Sequence, residues 1–247
     1  MRQLTPYEKT HLQRFDKSNI NIVNYGEMPV EYITNKAEFG GQVFEIDQNV
    51  LIPRIESEEL VNLALEKITN HKNLIIADVG CGSGAVGINL WFKLKKVKIN
   101  VEMYLSDISK KALVITQKNV KKLIGKTSQI RIIKSDLLKN YPEEIKFDLI
   151  LANLPYIPSE RIKVLDKSVK EYEPHLALDG GSDGLKYIKE IVKQAKKRLN
   201  HKGIILLEVD YTHDEEFLRQ NLKLKDFQLQ VTRDQFQQTR FAVLSKN

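Results

Sequence analysis

The chain is predicted to fold as an open α/β sheet of mainly parallel strands that ends in an antiparallel hairpin. Three observations predict this. From residue 73 onward, short apolar runs alternate with stretches of helical spacing, as parallel strands joined by helical crossovers require. A glycine-rich loop at residues 78–84 joins the first run to the first long helix. After residue 220, two apolar runs follow each other with only a loop between them, which suits a hairpin at a sheet edge.

The elements follow in order. Residues 7–19 carry a faint helical pattern. Gly40-Gly41, between Tyr32-Ile33 and Val43-Phe44-Glu45-Ile46, suggests a small hairpin. Residues 74–77 form a short buried strand, and residues 85–95 a helix whose apolar face runs through Val86, Ile88, Leu90, Trp91 and Leu94. A strand at 101–105 and a helix at 109–123 follow. Residues 130–133 and 147–152 are two more strands. A helix at 183–199 leads to a strand at 204–209, then a helix at 214–220 and paired strands at 227–232 and 241–244.

Composition narrows the class. Hydrophobic residues make up 42% of the 247, enough for a sizeable core, and charged residues 29%. No apolar run is long enough for a membrane helix, and residues 1–6 lack the apolar core of a signal peptide. Cys81 is the only cysteine, which excludes an internal disulfide. These features lead us to expect a cytoplasmic protein. The formal net charge of +7 leaves contact with nucleic acid open without requiring it. Lys93, Lys95, Lys96 and Lys98, and Lys193, Lys196, Lys197 and Arg198, read as solvated faces and favourable charge at helix C-termini.

The loop Asp78-Val79-Gly80-Cys81-Gly82-Ser83-Gly84 calls for glycine because backbone must approach a ligand where a Cβ would intrude. The helix start after it offers free N–H groups to a carboxylate or phosphate. Two cofactors fit. Gly82-Ser83-Gly84-Ala85-Val86-Gly87 spells the dinucleotide pattern G-x-G-x-x-G. An acidic residue followed by G-x-G-x-G is the pattern of methyltransferases that use S-adenosylmethionine (SAM). For either, Asp107 is placed to accept hydrogen bonds from ribose hydroxyls, and Asp136-Leu137 to flank an adenine. Both acids follow strands at their carboxyl ends, where ligands bind in open α/β sheets; helix capping is the competing reading. Cys81 reads as a small residue beside the cofactor, not as a nucleophile, since no histidine is near it in sequence.

Asn153-Leu154-Pro155-Tyr156 closes the fourth strand on that same edge. An amide or nucleobase nitrogen is conjugated and a poor nucleophile. The Asn153 side-chain oxygen and the Leu154 or Pro155 carbonyl are suited to accept its two N–H groups and aim its lone pair. Pro155 restricts the turn, and Tyr156 is suited to pack on a flat group. The element resembles the N/D-P/I/L-P-Y/F/W motif of SAM-dependent amino-group methyltransferases. Three further segments narrow the resemblance to the HemK/PrmC protein-glutamine methyltransferases. Val50-Leu51-Ile52-Pro53-Arg54-Ile55-Glu56-Ser57-Glu58-Glu59-Leu60 resembles that family's "vLIPRPETEeLV". Tyr172-Glu173-Pro174-His175-Leu176-Ala177-Leu178-Asp179-Gly180-Gly181-Ser182-Asp183-Gly184-Leu185 resembles its "yEPrlALdGGxDGL". Pro29-Val30-Glu31-Tyr32-Ile33 resembles its hairpin entry. The resemblance covers residues 29–245.

The resemblance implies a class I SAM-dependent methyltransferase fold, Rossmann-like, with a seven-stranded sheet. It also implies a division into a shortened helical segment (1–28), a linking β-hairpin (29–53) and a methyltransferase domain (54–247). The implied activity is methyl transfer from SAM to the glutamine side-chain amide in the Gly-Gly-Gln motif of class I peptide chain release factors. Asp78, Gly80, Gly82 and Gly84 would hold the methionine part of SAM, Asp107 the ribose and Asp136-Leu137 the adenine region. Asn153, Leu154, Pro155 and Tyr156 would hold the substrate amide, with Asn153 also bordering the cofactor, and Arg54 and Glu56 would lie nearby. No metal is expected, and a monomer is. The chain departs from the family pattern in using Leu154, Ile55 and Ser57, in lacking a glycine in residues 234–240, and in having 28 residues before Pro29 where a helical bundle is usual. Arg54 and Glu56 would make a charge pair at a helix start in the purely structural reading, and residues 180–184 a loop and cap. Gly40-Gly41-Gln42 repeats the substrate motif by chance. Alternatives are a SAM-dependent N-methyltransferase for a ribosomal-protein glutamine or for an RNA or DNA adenine, and a dinucleotide-dependent dehydrogenase or binding protein.

Overall fold

The computed structural model describes residues 2–68 and 72–247. The N-terminal part holds α1 (Pro6–Arg14), α2 (Val30–Thr34) and the hairpin β1 (Lys36–Phe39) and β2 (Gln42–Glu45). There follow α3 (Glu56–Ile68), β3 (Asn73–Val79), α4 (Ala85–Lys96), β4 (Asn100–Asp107), α5 (Lys110–Leu123), β5 (Ile130–Lys134) and β6 (Phe147–Ala152). Two single-turn helices, α6 (Ser159–Ile162) and α7 (Lys167–Lys170), precede α8 (Lys186–Arg198), β7 (Leu199–Glu208), α9 (Glu215–Asn221), β8 (Phe227–Arg233) and β9 (Thr239–Lys246).

The seven-stranded sheet has the order β5-β4-β3-β6-β7-β9-β8. β3 to β7 run parallel, and β9 is antiparallel to both β7 and β8. The edge hairpin predicted from the tail is therefore present. The order doubles back between β3 and β6, so the carboxyl ends of β3, β4, β5 and β6 flank one crevice, the usual place for a ligand. Residues 74–77 of β3, 149–152 of β6 and 204–207 of β7 are largely buried on both faces, which is why those stretches read as apolar runs. Lys93, Lys95 and Lys96 fall in the last turn of α4, and Lys196, Lys197 and Arg198 in that of α8, where the helix dipole favours them.

The N-terminal elements differ from expectation in three places. The helix expected over 7–19 ends at Arg14; its start is fixed by a capping box in which Thr5 Oγ1 accepts from Glu8 N and Glu8 Oε2 accepts from Thr5 N. Tyr32 and Ile33, read as the first arm of the hairpin, lie instead on α2. Asn35, left-handed at φ 56°, ends that turn, and the strand begins at Lys36, where Ala37 and Phe39 alternate inward. Helix α3 is the third difference. Its buried stripe, Leu60, Val61, Ala64 and Ile68, packs into the same core as α4, but the cluster Glu56, Glu58 and Glu59 in its first turn masks the pattern.

The hairpin is pinned to the rest of the molecule by two buried asparagines. Asn89 Nδ2 donates to Gly40 O at 3.0 Å. Asn119 accepts from Glu45 N at 2.7 Å and donates to both Glu45 O and Ser83 O at 2.9 Å, which ties the hairpin to the glycine loop. Gly40-Gly41 thus form a structural turn, with both residues at positive φ.

Candidate active site

A cavity of about 250 Å³ opens at the carboxyl ends of β3 to β6. Asp78, Gly80, Gly82, Asp107, Asp136, Leu137, Asn153, Leu154, Pro155 and Arg54 all line it, joined by Phe39 of the hairpin. Gly84, Glu56 and Tyr156 do not line it. Gly84 stands one step back, as the N-cap of α4.

The glycine loop turns sharply out of β3. Gly82 has φ +55°, and a Cβ there would meet no protein atom within 4 Å, so a side chain would project into the cavity. Gly87 N donates to Asp78 Oδ2 at 2.9 Å, joining the end of β3 to α4. Burial at 2% exposure, opposed by the Gly87 bond and helped by nearby Asp107, pushes the Asp78 carboxyl up to about 7. A carboxyl raised in this way is protonated in the folded protein over a range where the unfolded chain has lost its proton. Stability should therefore fall as pH rises from about 4 to about 7. Asp78→Asn, which cannot ionise, should flatten that dependence, and thermal melts of the two proteins across the window check it.

Asp107 both caps and lines the cavity. Its Oδ1 accepts from Ser109 N at 2.8 Å, at the start of α5, and its Oδ2 from Gly82 N at 3.0 Å. Each oxygen keeps a second lone pair free for a ligand hydroxyl. No helix follows Asp136, so it caps nothing. It pairs with Lys139, while Leu137, held at φ +53°, is buried on the cavity wall. A leucine in the left-handed region is uncommon, and this one offers the cavity an apolar surface. Cys81 is buried, 3.6 Å from the Thr116 hydroxyl, and burial pushes its thiol well up, away from nucleophilic use.

The Asn153-Leu154-Pro155-Tyr156 turn is held from several sides. Leu154 is buried against Gly80, where an added Cβ would lie 2.9 Å from Leu154 Cδ2. Asn153 Nδ2 donates to Ser57 Oγ at 3.0 Å, and its Oδ1 has no hydrogen-bond donor among the described residues. Tyr156 OH donates to Glu208 Oε1 at 2.9 Å; burial and the adjacent carboxylate push the phenol up, so it stays a neutral donor. Ile157 pairs with residues 178–180 by backbone hydrogen bonds. Gly184 lies so close behind that a Cβ would come 2.3 Å from Tyr156 O. Residues 180–184 are thus more than the loop and cap of the simplest reading: they let one chain segment back onto the turn.

Arg54 does not pair with Glu56. It pairs with Glu173, which is 3% exposed, and so joins the 50–60 segment to the 172–185 segment across the site. Burial raises the Glu173 carboxyl while Arg54 opposes that rise. Ser57 and Glu208 are site residues that sequence reasoning missed. The one signal was a lone acid at the end of the apolar run that became β7.

The methyltransferase small domain family model matches residues 59–182. The chain is 37% identical over 203 residues to a release factor glutamine methyltransferase of Clostridium acetobutylicum, covering 82% of this chain and 68% of that one. To that of Leptospira interrogans it is 34% identical over 221 residues, covering 88% and 75%. The chain belongs to the release factor glutamine methyltransferase family. The family's Clostridium botulinum member is 40% identical over 186 residues, which are 75% of this chain and 64% of that relative, so the chain spans roughly two thirds to three quarters of these proteins. Among solved structures, a ribosomal protein L11 methylase of Lactobacillus delbrueckii superposes with a TM-score of 0.54 at 21% identity, covering 78% of this chain and 81% of that one. A Thermus thermophilus 16S rRNA methyltransferase in complex with AdoMet and guanosine superposes at 0.56 and 18% identity, covering 86% and 50%. The fold is that of the class I SAM-dependent methyltransferases. The alternative of a dinucleotide-dependent enzyme falls with this: the antiparallel β9 inserted between β7 and β8 departs from the all-parallel 3-2-1-4-5-6 sheet of that class.

Proposed function

We propose that this protein transfers a methyl group from SAM to the glutamine side-chain amide in the Gly-Gly-Gln motif of class I peptide chain release factors. The observation that carries the reading is the Asn153 amide. Its N–H end is held by Ser57, and its oxygen is left as an acceptor on the cavity that the glycine loop also lines. The chain's residues fit SAM: glycine backbone faces the cavity, Asp107 keeps lone pairs for ribose hydroxyls, and Leu137 offers an apolar wall. SAM supplies an electrophilic methyl on a sulfonium. Asn153 Oδ1 and the Leu154 or Pro155 carbonyl accept the two amide N–H groups. That localises the nitrogen lone pair and favours the less planar transition state. Pro155 keeps those acceptors from reorganising. No base is needed beforehand, since the nitrogen loses its proton after it has gained the methyl. Tyr156 acts through the turn it anchors, and Arg54 by joining the two segments that border the cavity. All these groups come from one chain, so a monomer suffices. Among the described residues no helix is long and apolar enough to cross a membrane, in keeping with work in the cytoplasm beside the release factors.

The reading is tested by incubating the protein with labelled SAM and either purified release factor, ribosomal proteins or total RNA. Label in the release factor alone is expected; label in RNA would favour an adenine substrate. Asp107→Ala should weaken SAM binding by about 1–3 kcal/mol, roughly fivefold to 150-fold in Kd, and calorimetry measures it.

A further inference from the structure

One buried carboxylate holds both ends of the Asn153-Leu154-Pro155-Tyr156 turn. Glu208, at the carboxyl end of β7, is 1% exposed. Its Oε1 accepts from Tyr156 OH at 2.9 Å and its Oε2 from Ser57 Oγ at 2.7 Å. Ser57, in the first turn of α3, is itself 2% exposed and accepts from Asn153 Nδ2 at 3.0 Å. Burial pushes the Glu208 carboxyl up, while the bonds from Ser57 and Tyr156, and Arg240, which is ion-paired to Asp234 and lies beside Glu208 and Tyr156, oppose that rise.

These contacts have a direction. A serine hydroxyl carries one hydrogen; with Glu208 ionised, the form that the bonds from Ser57 and Tyr156 and the nearby Arg240 favour against burial, that hydrogen is committed to a group that can only accept. Towards Asn153, Ser57 is therefore an acceptor only. The asparagine amide is nearly symmetric in shape, but only its NH₂ end can face such a group, so its oxygen must face the cavity. Were the hydroxyl free to rotate, it could donate to the oxygen instead. The amide would then turn a donor towards the substrate N–H, the wrong polarity for binding it.

We propose that Ser57 and Glu208 are positioning residues for the methyl transfer: Glu208 orients the Ser57 hydroxyl, and Ser57 orients the Asn153 amide so that its oxygen meets the substrate. The proposal rests on the preceding reading of Asn153 as acceptor for the substrate amide. It explains why α3 begins where it does, beneath the turn, and why an acid follows the apolar stretch 204–207 of β7.

Glu208→Gln keeps size and burial but adds a donor, which releases the Ser57 hydrogen and the polarity of the chain. Single-turnover methylation of full-length release factor, SAM affinity and melting temperature are measured for Glu208→Gln, Ser57→Ala, Ser57→Thr and the Ser57→Ala/Glu208→Gln double variant. Glu208→Gln is expected to lower kcat by about 10²-fold with SAM affinity within about threefold of wild type. Ser57→Thr, which retains the hydroxyl, should keep most activity, while Ser57→Ala should lose on the order of tenfold or more. The double variant should be no slower than Glu208→Gln by more than about threefold, because the two residues act in series. The Asn153 side-chain NH₂ resonances in ¹⁵N-labelled protein give a second readout that needs no substrate: slow solvent exchange in wild type, faster in Ser57→Ala and Glu208→Gln. Wild-type turnover together with an unaffected Glu208→Gln, multiplying effects in the double variant, or a folded Ser57→Thr as slow as Ser57→Ala would overturn the proposal. If wild type methylates nothing while the NH₂ resonances respond as expected, the proposed substrate fails and the orientation of Asn153 by Ser57 and Glu208 stands.

Discussion

Asn153→Ala should leave SAM affinity nearly unchanged and lower kcat by roughly 10²–10³, the loss expected for one preorganised hydrogen bond made chiefly in the transition state. The side chain spans the gap between Ser57 Oγ and the cavity, and nothing else among the described residues presents a side-chain acceptor from the end of β6. Removing it also deprives Ser57 of its donor, but Ser57 keeps its bond to Glu208, so the fold should survive. A role confined to the turn predicts the opposite pattern: a lower melting temperature, with activity falling only as the protein unfolds. Single-turnover rates well below the melting temperature separate the two. Asn153→Asp should not rescue. It would set a second carboxylate against Ser57, whose one hydrogen cannot serve both.

Gly82→Val should abolish measurable SAM binding. Two costs combine there. At φ +55° a β-branched residue is strained by about 1–2 kcal/mol. The side chain would also occupy cavity space, since no protein atom lies within 4 Å of the Cβ position to turn it elsewhere. The backbone N–H of Gly82 donates to Asp107, so a shift of the loop would disturb that carboxylate as well. Calorimetry on a protein whose melting curve remains cooperative decides the matter; wild-type affinity would remove the loop from the cofactor site.

The parts of the fold that were legible in the sequence are those whose signal is local. β6 is an apolar run interrupted only by Asp148, and it spans the residues expected. The glycine loop was legible because left-handed backbone and close approach leave few residues to choose from. The first hairpin arm was misplaced because Pro29 and Asn35, which start and stop the short helix α2, say little until their dihedral angles are known. Of helix α3 only a start near Arg54 and Glu56 was legible; its extent was not, because its buried stripe begins only after three glutamates in one turn. The site beyond the motifs was not legible for a different reason. Ser57 and Glu208 meet across 151 positions of sequence, and Arg54 and Glu173 across 119. Burial alone makes those pairings matter, and burial is a property of the folded chain. Glycines 180 and 184 were noticed as a pattern, but their reason, the backbone of Pro155 and Tyr156 lying against them, appears only in three dimensions.

The most direct measurement is fragmentation mass spectrometry of a class I release factor after incubation with this protein and SAM, beside a release factor whose Gly-Gly-Gln glutamine has been changed to alanine. The account predicts one added methyl group on the side-chain nitrogen of that glutamine and none on the altered factor. A methyl group at any other residue, or an unmodified release factor in the presence of protein that binds SAM, would contradict it.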